Sequence, residues 1–398
     1  MAEWRETTIG ELGQLFDGPH ATPSRISEGP YFLNIASLNN GRLDLLQSDH
    51  VSQEDFNRWT RRVTPREGDL LFSYETRLGQ AALMPSGIEA CLGRRMALIR
   101  PNIEEVDPRF LLYLYLSPAF QEIIRENTIH GATVERIALS TMDRWSVSIP
   151  GLPLQKAIAE VLGALDDKIA ANTRATRSAV ALVDAHFEAA VKNASLSEKT
   201  FDDVARIGGG GTPSSKVSDY WGGDIAWASP TDITALPAPY LASTGRTITE
   251  AGLASCSSSL YPVGSILMTS RATIGAFALA AVPTAVNQGF IVVVPPDRTM
   301  RFWLFHEMRA RVPEFLNHAN GATFLELSRG NFRRLPVRLA DRPTMDEFAA
   351  RAEALHDLAA AATDENRRLA ATRDALLPAL MSGRLRVKDA EKVVSDAV

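Results

Sequence analysis

Residues 152–172 read Leu-Pro-Leu-Gln-Lys-Ala-Ile-Ala-Glu-Val-Leu-Gly-Ala-Leu-Asp-Asp-Lys-Ile-Ala-Ala-Asn, and their spacing decides the fold. From here onward, one set of positions recurs at alternating four- and three-residue steps: Ile158, Leu162, Leu165, Ile169, Asn172, Thr176, Ala179 and Val183. This is the heptad rhythm of a coiled-coil seam, and it is narrower than the apolar stripe of a surface helix. Pro153 stands near the start, where a helix does not need the missing N–H. We therefore predict a long helix that pairs with a second helix.

A second segment keeps the same rhythm after Pro343 and stops at Gly383, a common residue at helix ends. Its seam positions are Phe348, Ala352, Leu355, Ala359, Ala362, Asn366, Leu369, Arg373, Leu376 and Leu380. We predict that the two helices pair antiparallel as a rigid spacer, since ~35 residues at about 1.5 Å per residue span ~50 Å. Asn172 and Asn366 both fall on the seam, where an asparagine fixes the register. The alternative is two ordinary surface helices, each packed on its own domain.

The segments that precede these helices repeat each other's motifs. Gly68-Asp-Leu-Leu-Phe-Ser recurs as Gly264-Ser-Ile-Leu-Met-Thr, and Gly131-Ala-Thr-Val recurs as Gly321-Ala-Thr-Phe. The interval of about 190 residues is far longer than the roughly 20–50-residue unit of a solenoid. The predicted fold class is α+β: two tandem pseudo-symmetric α/β domains joined by two long antiparallel coiled-coil helices. The predicted bounds are 1–150 for the first domain, 151–195 for the first helix, 196–342 for the second domain, 343–385 for the second helix and 386–398 for a tail.

Within both domains, short apolar runs rich in β-branched and aromatic residues predict strands. These runs are Leu70-Leu-Phe, Met96-Ala-Leu-Ile, Asp224-Ile-Ala-Trp, Ser265-Ile-Leu-Met and Phe290-Ile-Val-Val-Val. Apolar periodicity predicts one amphipathic helix from Pro108 to about Glu126 and another from about Met300 to Asn317. The stretch Ser195–Lys199 is predicted to be a linker into the second domain.

The composition is that of a globular protein. The 398 residues are 45% hydrophobic and 22% charged, which suits two or three domains with cores of their own. Cys91 and Cys256 lie far apart without ligand-like neighbours, so we expect no disulfide scaffold or zinc site, and a reducing cytoplasmic setting. We also expect no signal peptide and no membrane span, because the apolar runs are too short. The net charge of −5 does not by itself favour a nucleic-acid partner.

These motifs, in this order and twice over, resemble the specificity (DNA-recognition) subunit of type I restriction–modification systems. Residues 152–172 are similar to that family's central conserved region, and residues 365–385 to its distal conserved region. The second domain shares Gly210-Gly-Thr-Pro-Ser and Asn287-Gln-Gly-Phe with one kind of target-recognition domain. The first domain, through Gly68-Asp-Leu-Leu-Phe-Ser-Tyr-Glu-Thr-Arg-Leu-Gly, resembles a different subgroup. The resemblance covers essentially the whole chain.

The resemblance implies a subunit without catalytic residues or metal ligands of its own. It would bind double-stranded DNA, with one target-recognition domain on each half of a bipartite target, and would dock two modification (methylase) subunits. Those partners would carry S-adenosylmethionine and methylate adenine N6, and two restriction subunits that use ATP and Mg²⁺ are optional further partners. Two alternatives stay open: a coiled-coil adaptor that binds no DNA, and a stand-alone DNA methyltransferase or nuclease. The only Pro-Pro pair, in Val294-Pro-Pro-Asp, lacks the flanking residues of a methyltransferase motif.

The candidate DNA-contacting residues carry groups that could reach base edges or phosphates. Arginine suits guanine and the amides suit adenine, so Arg77 and Arg271, at equivalent strand ends, and Asn287-Gln288 lead the set. We align Asn287-Gln288 with Cys91-Leu92 of the first domain, and this difference predicts two different half-site sequences. The full set is Tyr74, Arg77, Arg94, Arg95, Thr212, Ser214, Lys216, Tyr220, Ser270, Arg271, Asn287, Gln288, Arg333 and Arg334.

Structural roles are the alternative for many of these residues. The loop Gly208–Lys216 is either a flexible connection or a phosphate contact, and the arginines could pair with nearby carboxylates. The arginine-rich runs 58–66 and 329–342 are either phosphate contacts or solvated faces. For His20 and His130 we expect structural roles. The candidate coiled-coil and methylase interface comprises Ile158, Leu162, Leu165, Ile169, Asn172, Leu355, Asn366, Leu369 and Leu376.

Overall fold

A computed structural model describes residues 4–19, 22–131, 134–192, 196–321 and 325–397. The chain divides into two compact units, Met1–Lys168 with Arg368–Val398 (unit 1) and Ile169–Arg367 (unit 2). Each unit contains one of the predicted domains and part of both long helices. His20, the predicted boundary at Ser195 and most of the two Gly-Ala-Thr motifs lie outside the described residues.

Unit 1 is built from short strands and helices that lead into the first long helix. Its strands are β1 Trp4–Thr8, β2 Gly13–Asp17, β3 Ile26–Leu33, β4 Leu38–Asn39, β5 Arg42–Leu43, β6 Asp49–His50, β7 Leu70–Ser73, β8 Ala81–Leu83, β9 Ala90–Leu92, β10 Met96–Pro101, β11 Thr128–Ile129, β12 Arg136–Ile137 and β13 Ser146–Pro150. Its helices are α1 Ile9–Leu12, α2 Gln53–Trp59, α3 Pro108–Leu116, α4 Pro118–Glu126, α5 Leu139–Met142 and the first part of α6 Leu152–Val191.

Unit 2 follows the same plan and leads into the second long helix. Its strands are β14 Leu196–Thr200, β15 Arg206–Gly208, β16 Trp221–Ala228, β17 Tyr240–Leu241, β18 Arg246–Ile248, β19 Ile266–Arg271, β20 Thr273–Ala280, β21 Thr284–Val286, β22 Phe290–Val294 and β23 Pro336–Arg338. Its helices are α7 Phe201–Val204, α8 Pro230–Thr234, α9 Glu250–Ala254, α10 Arg298–Ala310, α11 Val312–Asn317, α12 Arg329–Arg333 and most of α13 Arg342–Met381. The helix α14, Val387–Ala397, belongs to unit 1.

The two units share the strand order of their main sheets, although unit 1 also has the two-stranded sheets β4-β5 and β11-β12 and unit 2 adds β17 at one edge. In unit 1 the strand orders are β1-β13, β2-β10-β7-β8 and β6-β3-β9, and in unit 2 they are β14-β23, β15-β22-β19-β20-β17 and β18-β16-β21. The parallel pairing of β3 with β9 recurs as that of β16 with β21. Even the helix caps recur, because Asp107 accepts a hydrogen bond at the start of α3 as Asp297 does at the start of α10. The duplication predicted from the motifs is confirmed.

The predicted strands are all present, but three other local predictions need correction. The single helix expected over 108–126 is two helices, because Ser117 caps α4 and Pro118 occupies its first turn. Pro313 likewise opens α11, so the helix expected over 300–317 is also divided. A proline cannot continue a preceding helix, since it lacks the N–H that the helix needs. Residues 196–199 form part of β14 and pair with β23, so they are not a linker.

Each unit has its own apolar core. In unit 1, Leu71, Leu98 and Met96 of the central sheet are fully buried with residues of the smaller sheet. In unit 2 the core is more aromatic, and it includes Trp303 and Phe305 of α10, both fully buried. Burying a large aromatic side chain removes roughly 150–250 Å² from water, so these residues dominate the stability of unit 2.

The two long helices, of 40 residues each, contact each other within both units. In unit 1, Arg373 Nη1 of α13 donates to Asp166 Oδ1 of α6 at 2.7 Å. In unit 2, Thr176 lies against Ala359, and Asn172 lies against Glu365. Residue numbers rise along α6 as they fall along α13, so the pairing is antiparallel, as predicted. Five of the predicted interface residues are buried within their own unit: Ile158, Leu162, Leu165, Leu369 and Leu376. The other four are half-buried: Ile169, Asn172, Leu355 and Asn366.

Candidate nucleic-acid interface

The loop Gly208–Lys216 of unit 2 is held in place by three aromatic side chains. Tyr261 Oη donates to Gly209 O at 2.5 Å, and Trp227 Nε1 donates to Gly211 O at 3.1 Å. Trp221 Nε1 donates to Ser214 O, also at 3.1 Å. A tyrosine O–H or tryptophan N–H usually finds a hydrogen-bond acceptor when the ring is buried, and here the loop carbonyls are the acceptors. The loop is therefore tethered along most of its length, which argues against a flexible connection.

The tethered loop presents small polar side chains next to an amide. Thr212 Oγ1 donates to Gln288 Oε1 at 2.6 Å, and both side chains are exposed. Because this bond uses only the oxygen of the Gln288 amide, the NH₂ group is left to donate outward. Ser214 and Lys216 are exposed on the same loop.

Asn287, beside this pair, is committed to local structure. Its Oδ1 accepts a hydrogen bond from Gly289 N at 2.8 Å, and its side chain is half-buried. Tyr220 is also half-buried, and its backbone carbonyl accepts from Thr249 N. Of the predicted adenine-reading pair, Gln288 is the better exposed.

The strand registers correct our alignment of the two domains at this point. Ala285 of β21 pairs with Trp227 as Cys91 of β9 pairs with Phe32. Gln288 therefore corresponds to Arg94, and the alignment of Asn287-Gln288 with Cys91-Leu92 is wrong. The number of residues between matching motifs of the two domains decreases by a few between β19 and β21. Because the motifs alone do not show where this decrease occurs, the sequence alignment was shifted here. Arg94 is exposed, and its side chain makes no hydrogen bond or ion pair within the described part of the chain.

A matched backbone corner follows the central strand of each unit. Thr76 and Ala272 both adopt positive φ, 71° and 61° respectively, a conformation that L-residues seldom occupy. In each case the N–H donates to a carbonyl near the Gly-Ala-Thr motif, Thr76 to Glu135 O at 3.2 Å and Ala272 to Leu325 O at 3.0 Å. In both units, therefore, a residue with positive φ joins the end of the central strand to the segment after the Gly-Ala-Thr motif by a backbone hydrogen bond.

These corners also correct the expected equivalence of Arg77 and Arg271. A bridge joins Glu75 to Arg136 in unit 1, and the corresponding bridge joins Arg271 to Glu326 in unit 2. Arg271 therefore occupies the place of Glu75, with the charges of the bridged pair reversed. Arg271 is exposed and lies 3.9 Å from Glu326 Oε2, whereas Arg77 Nη1 donates to a backbone carbonyl at 2.9 Å. The sequence motifs look alike because both contain an arginine, but the strand register separates them by two positions.

Several other candidates are buried or already paired. Tyr74 and Ser270 are only 6% and 3% exposed, and burial raises the pKa of the Tyr74 phenol. Arg95 forms an ion pair with Glu75 at 3.0 Å, and Arg333 Nη2 donates to a carbonyl of β15 at 2.7 Å. Arg334 is exposed, although one of its guanidinium nitrogens donates to Asn331.

Several arginines of the two arginine-rich runs already have partners within the protein. In the first run, Arg62 pairs with Asp17 at 2.7 Å and the Arg58 guanidinium lies 5.4 Å from the Trp59 ring. In the second, Arg338 pairs with the fully buried Glu307 at 2.8 Å, and Arg342 pairs with two carboxylates. His130 Nδ1 lies 3.1 Å from Glu135 Oε1 on the surface.

Sequence reasoning did not identify one cationic group in unit 2. The exposed Arg246 places its guanidinium carbon 3.4 Å from the centre of the Trp221 ring and 5.7 Å from that of Trp227. The two indole rings are perpendicular and 5.1 Å apart. Arg246 stands alone in the sequence, in Thr-Gly-Arg-Thr-Ile, so only the fold reveals that it meets two tryptophans.

The described residues also bear on metal binding and on membrane insertion. No cluster of three or more His, Cys, Asp or Glu side chains able to hold a metal ion occurs among them. None of the helices in the described ranges is long and apolar enough to cross a membrane.

Comparison with known proteins gives a consistent result. A family model for the type I restriction modification DNA specificity domain matches twice, over residues 1–180 and 195–369. The MjaIX specificity subunit of Methanocaldococcus jannaschii is 36% identical over 141 residues, which cover 35% of this chain and 33% of that protein. The HindI specificity subunit of Haemophilus influenzae is 20% identical over 97% of this chain and all of its own length.

A solved structure supports the same fold. The S subunit of a type I restriction–modification system from M. genitalium aligns with a TM-score of 0.57 at 15% identity, covering 95% of this chain and 96% of that one. The double family match extends over most of the chain, through both domains and into both long helices. The protein therefore belongs to the type I restriction–modification DNA specificity family.

Proposed function

We propose that the chain is the DNA-recognition subunit of a type I restriction–modification complex, in which each unit reads one half of a bipartite target. The observation that carries this proposal is the shared topology with different side chains at matched positions. Gln288 of unit 2 corresponds to Arg94 of unit 1, and Arg271 corresponds to Glu75. Amides suit adenine and arginine suits guanine, so one scaffold carries two chemically different reading surfaces.

In this proposal, the paired helices α6 and α13 fix the number of base pairs between the half-sites and dock two modification subunits. Support comes from each unit separately, because polar contacts at Asp166 in unit 1 and at Asn172 in unit 2 add register-specific bonds to the apolar packing of the helices. Exposed apolar positions of the same helices remain for partner subunits. Leu182 and Leu358, 46% and 57% exposed, are apolar side chains of this kind.

The chemistry belongs, in this proposal, to the partners. Modification subunits would bind S-adenosylmethionine and methylate adenine N6, and restriction subunits, where present, would use ATP and Mg²⁺. The specificity subunit contributes only the choice of sequence. Its net charge of −5 is compatible with this division, since local arginine-bearing surfaces and the partner subunits can supply the phosphate contacts.

The test is to co-express the chain with candidate modification subunits and map methylated adenines in the genome of the expressing cells. The expected result is one two-part motif with unspecified base pairs between its halves. An adaptor that binds no DNA would give no sequence preference in this map or in gel shifts. Turnover of S-adenosylmethionine by the isolated chain would instead indicate a stand-alone methyltransferase.

A further inference from the structure

We propose that Arg246, held against Trp221, reads a guanine in the half-site of unit 2. This inference rests on the proposed function and extends it to a residue that no motif marks. Arginine can donate two parallel hydrogen bonds to guanine O6 and N7, the commonest specific contact between a protein side chain and DNA.

Arg246 is available for a ligand. It is exposed, and its guanidinium makes no hydrogen bond or ion pair with any residue in the ranges that the structure describes. Other arginines of unit 2 are paired, such as Arg298 with Glu353 at 2.6 Å and Arg309 with Asp184 at 2.8 Å. All five N–H donors of Arg246 therefore remain for an external acceptor.

Arg246 is also positioned. Its guanidinium carbon lies 3.4 Å from the centre of the Trp221 ring, and stacking on an aromatic face restricts the motion of a guanidinium. Its backbone is held as well, because Thr244 Oγ1 donates to Arg246 O at 2.7 Å. A side chain ordered before binding loses less conformational entropy when it binds.

The stack is continuous with the other polar groups of this surface. Trp221, which holds Arg246, donates to Ser214 of the tethered loop, and Thr212 of that loop donates to Gln288. Arg246 also lies beside Trp227 and Ala285 in one row across strands β18, β16 and β21. Arginine, hydroxyl and amide groups are thus fixed on one connected surface of unit 2.

The arginine is specific to unit 2. Arg246 pairs with Trp227 of β16 as Asp49 pairs with Phe32 of β3, so unit 1 has an aspartate at the matched position. Asp49 is itself engaged by Arg25 at 3.3 Å. A group needed for the shared scaffold would recur in both units, whereas one that reads a base would differ between them.

The experiment compares methylation motifs of the wild-type complex with those of Arg246→Ala and Arg246→Lys, with Arg351→Ala as a control. Arg351 is an exposed arginine on α13 that pairs with Glu347. The unit 2 half-site is identified as the half that stays unchanged when residues 1–150 are exchanged. We expect Arg246→Ala to make one G·C position of that half degenerate, lowering discrimination there by about 10-fold or more. Arg246→Lys is expected to retain overall methylation but lose the same discrimination, and Arg351→Ala to leave the motif unchanged.

Three outcomes would overturn the assignment. In the first, both Arg246 variants keep the wild-type motif. In the second, Arg246→Ala lowers methylation equally at all sites and Arg246→Lys restores both methylation and the full motif. In the third, both variants lose all methylation. A unit 2 half-site without a G·C pair in the wild-type motif would also overturn it. Failure of the proposed function looks different, because the wild-type complex would then give no two-part motif at all.

Discussion

Asn172 Nδ2 of α6 donates a hydrogen bond to Glu365 Oε2 of α13 at 2.6 Å, on the seam between the two long helices. At the next residue of α13, Asn366 Nδ2 donates to Thr173 Oγ1 at 3.2 Å and to Ile169 O at 3.3 Å. Each asparagine predicted to lie on the seam thus bonds to the opposite helix. A one-residue slip would break all of these bonds, so they fix the register as well as adding stability.

Reversing the Asn172–Glu365 hydrogen bond tests this role. Asn172→Asp places two carboxylates together on the half-buried seam, and we expect it to lower the free energy of unfolding by about 1–3 kcal/mol, since hydrogen bonds to charged groups contribute about that much. Adding Glu365→Gln restores a donor and an acceptor with the direction exchanged, and should recover most of the loss in urea unfolding. A double variant no more stable than Asn172→Asp would contradict the role of this pair.

A buried polar chain in unit 2 predicts sensitivity to acid. Tyr240 Oη lies 2.8 Å from His356 Nδ1, the two histidines meet through Nε2 atoms 2.9 Å apart, and His306 Nδ1 lies 2.6 Å from Asp184 Oδ1. Two neutral histidines satisfy every bond when each donates toward Asp184. Burial lowers the pKa of His356 to about 3, and burial also lowers the pKa of His306.

The sign of the pH effect follows from these shifts. The unfolded state takes up protons below pH about 6.5 while folded His356 stays neutral, so stability falls as the pH decreases from 6.5 towards 3. The expected loss between pH 6.5 and pH 5 is about 1–2 kcal/mol from His356 alone. His356→Phe should flatten this slope in thermal melts of the purified chain, although it lowers stability at pH 8. His318→Gln, at an exposed site, should leave the slope as it is, and an equal slope in His356→Phe would rule out the account.

The matched positions Arg94 and Gln288 make a reciprocal prediction. Arg94→Gln should shift one position of the unit 1 half-site away from G·C, and Gln288→Arg should shift one position of the unit 2 half-site towards it. Each substitution should leave the opposite half-site alone. Methylation mapping of both variants provides the measurement, and a change in both halves from either substitution would refute the matched-reader model.

The helices predict the spacer length. Four residues inserted after Asn172, with four matching residues inserted before Glu365, add about 6 Å to the paired helices at 1.5 Å per residue. At 3.4 Å per base pair, the gap between half-sites should lengthen by about two base pairs in the methylation motif. If the variant with both insertions is active and still recognises the original gap, the helices do not set the spacer length.

The sequence predicted the fold well where periodicity or duplication carried the signal. The seam at Leu162 and Leu369 was predictable because heptad spacing depends only on local residues. The places where it misled us depend on partners distant in sequence. β14 is a strand because β23 pairs with it, and Gln288 matches Arg94 because of sheet register. Arg246 could not be found in advance, since its significance depends on two tryptophans that folding brings to it.

In the proposed function, two related readers in one chain each recognise half of a split DNA target. The most direct measurement exchanges residues 1–150 for the corresponding domain of another family member and maps adenine methylation in cells that also express the modification subunits. We expect a two-part motif in which one half changes, while the other half and the gap stay the same. A motif in which both halves change, or one without a gap, would contradict the claim.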